Sequence, residues 1–111
     1  MARSKTDLLQ GTLDLIVLQL LRAEPTNGYD LSLRIQAVTK DVLSVNAGSL
    51  YPALYRLEEK GWIRGEWEAT EKGRQAKVYS LTAAGRRQLA AERETWDRFS
   101  TALAAILRTV S

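Results

Sequence analysis

The chain has no cysteine and no histidine. The first absence rules out disulfides and thiolate metal sites, and it fits a reducing compartment such as the cytoplasm. The second removes the commonest general base and the commonest zinc ligand together. The carboxylates do not compensate: Glu58–Glu59 and Glu66/Glu68 are placed as solvated charges rather than as a dyad or a hard-metal cluster. No glycine-rich phosphate loop is present. The expectation is a protein that is not an enzyme and carries neither metal nor cofactor. No run of 18 apolar residues occurs, so no membrane-spanning helix is expected. The start of the chain is basic, but Asp7 and Asp14 interrupt the apolar residues beyond it, which argues against a signal peptide.

What is present points to a small soluble domain. The chain has 111 residues, of which 45% are apolar and 26% charged, values of a globular protein whose short length limits its core. A second copy would help to cover apolar surface. The net charge of +3 is unevenly spread. Residues 69–87 hold Lys72, Arg74, Lys77, Arg86 and Arg87 against Glu71 alone, a local +4, while the rest of the chain is close to balance. A local basic cluster is a better sign of a polyanionic partner than a mildly basic chain is.

The stretch 46–60, closed by Gly61, reads as a recognition helix. Leu50, Leu54 and Leu57 recur at i, i+4 and i+7, one face of a 3.6-residue helix. The other face carries Ser49, Pro52, Tyr55 and Arg56, with Tyr51 at its edge and no carboxylate before Glu58. Proline is tolerated only near a helix start. The helix therefore begins near Ala47 or Gly48, with Asn46 as its cap.

Two helices precede it. The first runs from about residue 9 or 12 to 22, with Leu9, Leu13, Ile16 and Leu20 as the main stripe and Val17 and Leu21 broadening it. Leu8, Leu15 and Leu18 lie off that stripe, so this helix packs against more than one neighbour. Pro25 stops it. Asn27 caps the second helix, 28–38, with Asp30 in capping-box spacing and Leu31, Ile35 and Val38 inward. Helix, short turn and helix make a helix-turn-helix. Residues 62–68 and 76–82 then alternate as strands, placing Ile63 and Trp67 on one face, around a polar loop at 69–75. A helix-turn-helix followed by a basic hairpin is a winged helix. Thr82 caps a long last helix from 83 to about 109. Trp96, Phe99, Leu103, Ile106 and Val110, spaced 3, 4, 3 and 4, form an a/d seam on it. The expected fold is mainly α with a small β-hairpin: a winged helix-turn-helix DNA-binding domain over 1–82 and a C-terminal dimerisation helix over 83–111. A symmetric homodimer is the economical way to cover the seam.

Four blocks carry a resemblance to a known family: Leu8-Leu-Gln-Gly-Thr-Leu-Asp-Leu, Asn27-Gly-Tyr-Asp-Leu, Gly48-Ser-Leu-Tyr-Pro-Ala-Leu-Tyr-Arg-Leu-Glu-Glu-Lys-Gly-Trp-Ile, and Gly73-Arg-Gln-Ala-Lys-Val-Tyr-Ser-Leu-Thr-Ala-Ala-Gly-Arg. The third is specific and the others support it. The chain resembles the PadR-like transcriptional regulators, in the short form with one C-terminal helix. The resemblance implies a bacterial homodimer that represses transcription from a palindromic operator. Helix three would lie in the major groove, the wing on the neighbouring backbone or minor groove, and the last helix on the partner's first. The family wing often reads Gly-Arg-Pro-Arg-Lys-Tyr-Tyr; here Gln75 and Ala76 replace the proline and the second arginine, which removes one cation from the tip.

On this reading Ser49 and Tyr55 contact base edges or nearby phosphates with their hydroxyls. Tyr51 is shared between that role and the edge of the core. Arg56, Lys60, Arg74 and Lys77 are phosphate candidates, and Asn27 and Tyr29 sit at a helix start that can meet a phosphate. Trp96 is a seam residue. It has a second reading, because drug-sensing members of the family hold planar aromatic ligands between paired tryptophans at a similar place. The partners expected are therefore double-stranded DNA, a second copy of the chain and a planar aromatic effector. The alternative of another class is a winged helix that binds an acidic protein surface and no DNA.

Overall fold

The computed structural model describes residues 5–109, with side chains from residue 11 onward. The first helix, α1, spans Lys5–Ala23. It begins earlier than the expected residue 9 or 12, because Gly11 and Thr12 lie inside it rather than at a boundary. A helical glycine costs only about 1 kcal/mol relative to alanine. Among described side chains, Leu13, Val17, Leu18 and Leu21 form its buried face, while Leu15, Ile16 and Leu20 are half-buried beside the core. The buried stripe is thus rotated from the one expected, and Leu18 belongs to it. The helix meets the three later helices and the sheet, the several-neighbour packing expected of it.

Thr26–Asn27 form a two-residue strand, β1, which the alternation pattern does not signal. Asn27 then caps α2, Gly28–Val38: its side-chain oxygen accepts from the Asp30 amide at 2.8 Å, and its amide donates to the Asp30 carboxylate at 3.0 Å. The first bond satisfies an otherwise unpaired helix-start donor, and the second, from Asn27 Nδ2, ties the two side chains together. Leu31 and Ile35 are buried, but Val38 is 66% exposed, a correction to the inward placement expected for it. Val38 keeps the helical spacing but lies past the end of the core, and the chain turns just after it, where Lys40 and Asp41 take left-handed φ angles of 51° and 67°.

Helix α3, Ala47–Glu59, has the expected bounds and cap, with Asn46 accepting from the Ser49 amide at 2.9 Å. Leu50, Ala53, Leu54 and Leu57 are buried against α1, α2, Ile63, Tyr79 and Leu89. Pro52 sits inside this helix, close to its start, and supplies no N–H to the Gly48 carbonyl. Gly61, at φ +75°, closes the helix, and the Trp62 amide donates back to the Leu57 carbonyl at 3.1 Å. This left-handed cap needs a residue without Cβ strain.

Strands β2, Ile63–Ala69, and β3, Gln75–Leu81, form the expected hairpin, registered Ile63↔Leu81 through Ala69↔Gln75. Strand β1 pairs with the other side of β3, so the sheet order is β1-β3-β2. The turn is closed by Thr70 donating to the Arg74 carbonyl at 2.7 Å and by Gly73, φ +78°, donating to the Thr70 carbonyl at 3.0 Å. Trp67 shares the Ile63 face as expected, but it is 66% exposed because the core ends near Ile63 and Tyr79.

The last helix, α4, spans Ala83–Leu107. Thr82 caps it as expected, accepting from the Gly85 amide at 3.0 Å while its hydroxyl donates to the Gly61 carbonyl at 2.6 Å. One side chain thus fixes the start of α4 to the end of α3. Leu89 anchors the helix to the core; beyond it the helix runs out along the molecule, whose longest dimension is 58 Å.

Candidate nucleic-acid interface

The outer surface of α3 is set by which residues its buried leucines leave over. Ser49, Pro52 and Tyr55 are exposed, and Tyr51 is half-exposed with its ring against Gly28. A Cβ on Gly28 would come within 2.7 Å of that ring, so the glycine allows the start of α2 to approach α3 this closely. Tyr29 is exposed beside them. The Asn27 side chain is occupied by its cap with Asp30. Tyr29, Tyr51, Trp67 and Tyr79 line one cleft of about 280 Å³ between the helix starts and the hairpin. Sequence reasoning misses Trp67 as part of this surface. Its alternation with Ile63 suggests burial, and only the short reach of the core reveals otherwise.

The candidate cations divide into two sets. Arg56 turns away from the outer face and forms an ion pair with Asp14 of α1, with Nη2–Oδ1 at 2.5 Å and both side chains mostly shielded. Lys77 reaches Glu58 of α3 at 2.9 Å and lies 5.5 Å from the Tyr79 ring centre. The hydrogen bond to Glu58 raises its pKa above the usual lysine value. Burial raises that of Tyr79, which is only 6% exposed. Lys60 and Arg74 remain on the surface: the Lys60 ammonium sits 4.7 Å over the Trp62 ring, and Arg74 ends the hairpin turn.

The +4 segment also divides. Arg86 and Arg87 belong to the first turns of α4, beyond Thr82. The hairpin itself, residues 63–81, carries Arg64, Lys72, Arg74 and Lys77 against Glu66, Glu68 and Glu71, a net +1. The wing is therefore only mildly basic, and its free cations concentrate at the turn.

A second surface lies along α4 and the groove beside it. Trp96, Phe99, Leu103 and Ile106 are 46%, 55%, 41% and 64% exposed in the single chain, with the Trp96 and Phe99 rings 5.8 Å apart. Val110, the last seam position expected, lies outside the described residues. Trp96 also borders an open, largely apolar groove of about 420 Å³ with Leu15, Ile16, Leu20, Val38 and Leu43. Exposed apolar continuity of this kind marks an interaction surface. Among the described residues no cluster of metal-binding side chains occurs and no helix is long and apolar enough to cross a membrane.

Comparison with known proteins agrees with this arrangement. A model described as the transcriptional regulator PadR-like family matches residues 17–91. A transcriptional regulator from Clostridium thermocellum superposes with a TM-score of 0.84 at 25% identity, covering 92% of this chain and 99% of that one. A PadR-like transcriptional regulator from Bacillus cereus gives 0.80 at 29% identity over 94% and 99% of the two chains. A PadR-family regulator from Eggerthella lenta gives 0.77 at 31% identity over 94% and 88%.

Proposed function

The chain belongs to the PadR-like family of transcriptional regulators, DNA-binding proteins rather than enzymes, and we propose that it acts as a homodimeric repressor that recognises a palindromic operator. The observation that carries this reading is the outer face of α3. It is capped, exposed, free of carboxylate from Ala47 to Leu57, and flanked by the hairpin. Ser49 and Tyr55 would face base edges in the major groove, with Tyr51 at the border. Lys60 and Arg74 would contact phosphates, and the α2 start at Asn27 and Tyr29 would sit against the backbone. Arg56 contributes by fixing α3 on α1 through Asp14.

The dimer reading is supported by the exposed stripe of α4 and by the groove beside Trp96, two apolar surfaces that a second copy would cover. The resulting pair would set two α3 helices about one turn of DNA apart, ~34 Å. Trp96 and its symmetry mate would also form flat walls suited to a planar aromatic effector that relieves repression. A cytoplasmic location suits both the operator and the effector.

Fluorescence anisotropy with a labelled fragment of the gene's own upstream region, titrated at several salt concentrations against a scrambled fragment, tests the core of this reading. Preferential binding of two chains per site, weakening steeply with salt, is expected. No binding to either fragment at low salt would overturn it in favour of a protein-binding winged helix.

A further inference from the structure

The inward face of the hairpin carries a charged residue where the core has run out. On β2 that face is Ile63, Gly65 and Trp67, and on β3 it is Lys77, Tyr79 and Leu81, with Trp67 paired to Lys77 and Gly65 to Tyr79. Beyond Gly65 every residue of β2 is exposed. The distal part of β2 therefore contributes no buried apolar side chain to the body. Lys77 crosses the sheet diagonally instead. Its stem passes over Gly65, where an added Cβ would lie 2.4 Å from its Cε, and its ammonium ends on Glu58 of α3 at 2.9 Å. The Tyr79 ring lies beneath the ammonium at 5.5 Å. Glycine is the residue that leaves this path open on a pleated strand.

We infer that Lys77, Gly65 and Glu58 form a strap that fixes the wing against α3, and that Lys77 is a positioning residue for operator recognition rather than a phosphate ligand. The function of the strap in DNA recognition rests on the operator-binding reading; the strap itself does not. Its ammonium is already held by a carboxylate, so a phosphate would have to displace Glu58 to engage it. What the pair supplies is a fixed angle between the two elements that would meet the duplex. A wing held at one angle reaches one backbone position relative to the bases read by α3. A loose wing contacts phosphates of any sequence equally well.

Three single substitutions break the strap differently. K77M removes the cation, E58Q removes the anion, and G65A leaves both charges but obstructs the path. The double exchange E58K/K77E restores the pair with its polarity reversed. Hydrogen exchange of the hairpin amides 66–78 in the DNA-free protein gives the first readout. Anisotropy on the upstream fragment and on scrambled DNA, as a function of salt, gives the second. All three single variants should exchange faster in the hairpin and lose preference for the upstream fragment, with the logarithmic salt slope of K77M unchanged. The double exchange should recover protection and preference.

Unaltered hairpin protection in the three single variants would overturn the strap. So would a K77M slope reduced by about 0.9 per chain, the signature of one lost phosphate contact, together with tighter binding of both DNAs by E58Q and G65A. If the unmodified protein binds neither DNA, the operator reading fails, while hydrogen exchange still decides whether the strap exists. Should G65A fail to fold, K77M and E58Q carry the test.

Discussion

Replacing Gly85 with alanine separates helix propensity from packing, because the two pull in opposite directions. Gly85 lies in the first turn of α4, where alanine would ordinarily gain about 1 kcal/mol. The added Cβ would sit 1.9 Å from the Trp62 carbonyl oxygen and 2.7 Å from Leu81 Cδ1. That carbonyl cannot simply retreat. It accepts the Thr82 amide at 3.1 Å, and Thr82 caps α4 while donating to Gly61. Overpacking of a rigid site costs roughly 3 kcal/mol, and loosening the Thr82 cap adds about 1 kcal/mol. Subtracting the propensity gain leaves a net destabilisation of about 3 kcal/mol. At about 4 °C per kcal/mol for a chain of this size, the midpoint should fall by about 12 °C. Thermal unfolding followed by circular dichroism at fixed protein concentration measures it, the concentration being held because any self-association would add stability by mass action. Gly11 is the internal control. An added Cβ there meets no described atom within 4 Å, so G11A should gain about 1 kcal/mol. A G85A protein as stable as the unmodified chain would refute the packing argument, because only free movement of the Trp62 carbonyl could produce it.

Four further outcomes are expected. R74A should weaken binding to upstream and scrambled DNA alike and lower the salt slope by about 0.9 per chain, whereas S49A or Y55A should lower only the preference between them; anisotropy distinguishes the two patterns. D14A and R56A should show a coupling of about 1 kcal/mol in a double-mutant cycle of denaturant unfolding, since the pair joins α1 to α3 with both side chains largely shielded. L103E should place a charge in the exposed apolar stripe of α4 and yield a monomer by analytical ultracentrifugation. Lys77 and Tyr79 both hold their protons more tightly in the fold than their ordinary values of 10.5 and 10.0 imply. Their stabilisation is therefore complete below pH 10 and drains as pH rises through and above those values. With no histidine in the chain, DNA affinity should change little between about pH 6 and 8; denaturant midpoints and anisotropy across pH check both halves.

Elements defined by local chemistry were legible in the residues. Asn27, Asn46 and Thr82 each cap a helix within three positions of the amide they bind, and Gly61 closes α3 through its own φ, so their effect can be read from a short window. The same holds for the leucines of α3 and the alternation of β2 and β3. What escaped depends on distance along the chain. Strand β1 is two residues long and exists because β3 arrives more than fifty positions later. Arg56 finds Asp14 across 42 positions and Lys77 finds Glu58 across 19, pairings that no charge count can anticipate. That count also merged the hairpin with the start of α4, since a running sum of charges does not register the boundary at Thr82. Val38 and Trp67 had the right periodicity but lay past the end of the core, whose extent is fixed by the whole set of packed helices. Of the candidate surface, the exposed positions on α3 were legible, and the ion pair that joins the wing to α3 was not.

The turn at 70–74 closes on its own hydrogen bonds, and residues 66–75 are exposed. The length of the hairpin is therefore a free variable, decoupled from the stability of the body. Adding one residue to each strand would lengthen it by about 3.3 Å and exchange the faces presented at the tip. Adding two to each would extend it by about 6.6 Å and preserve them. Evolution or design can thus treat this segment as a ruler whose graduations come in pairs, adjusting how far the hairpin reaches from the body while the helices behind it stay as they are.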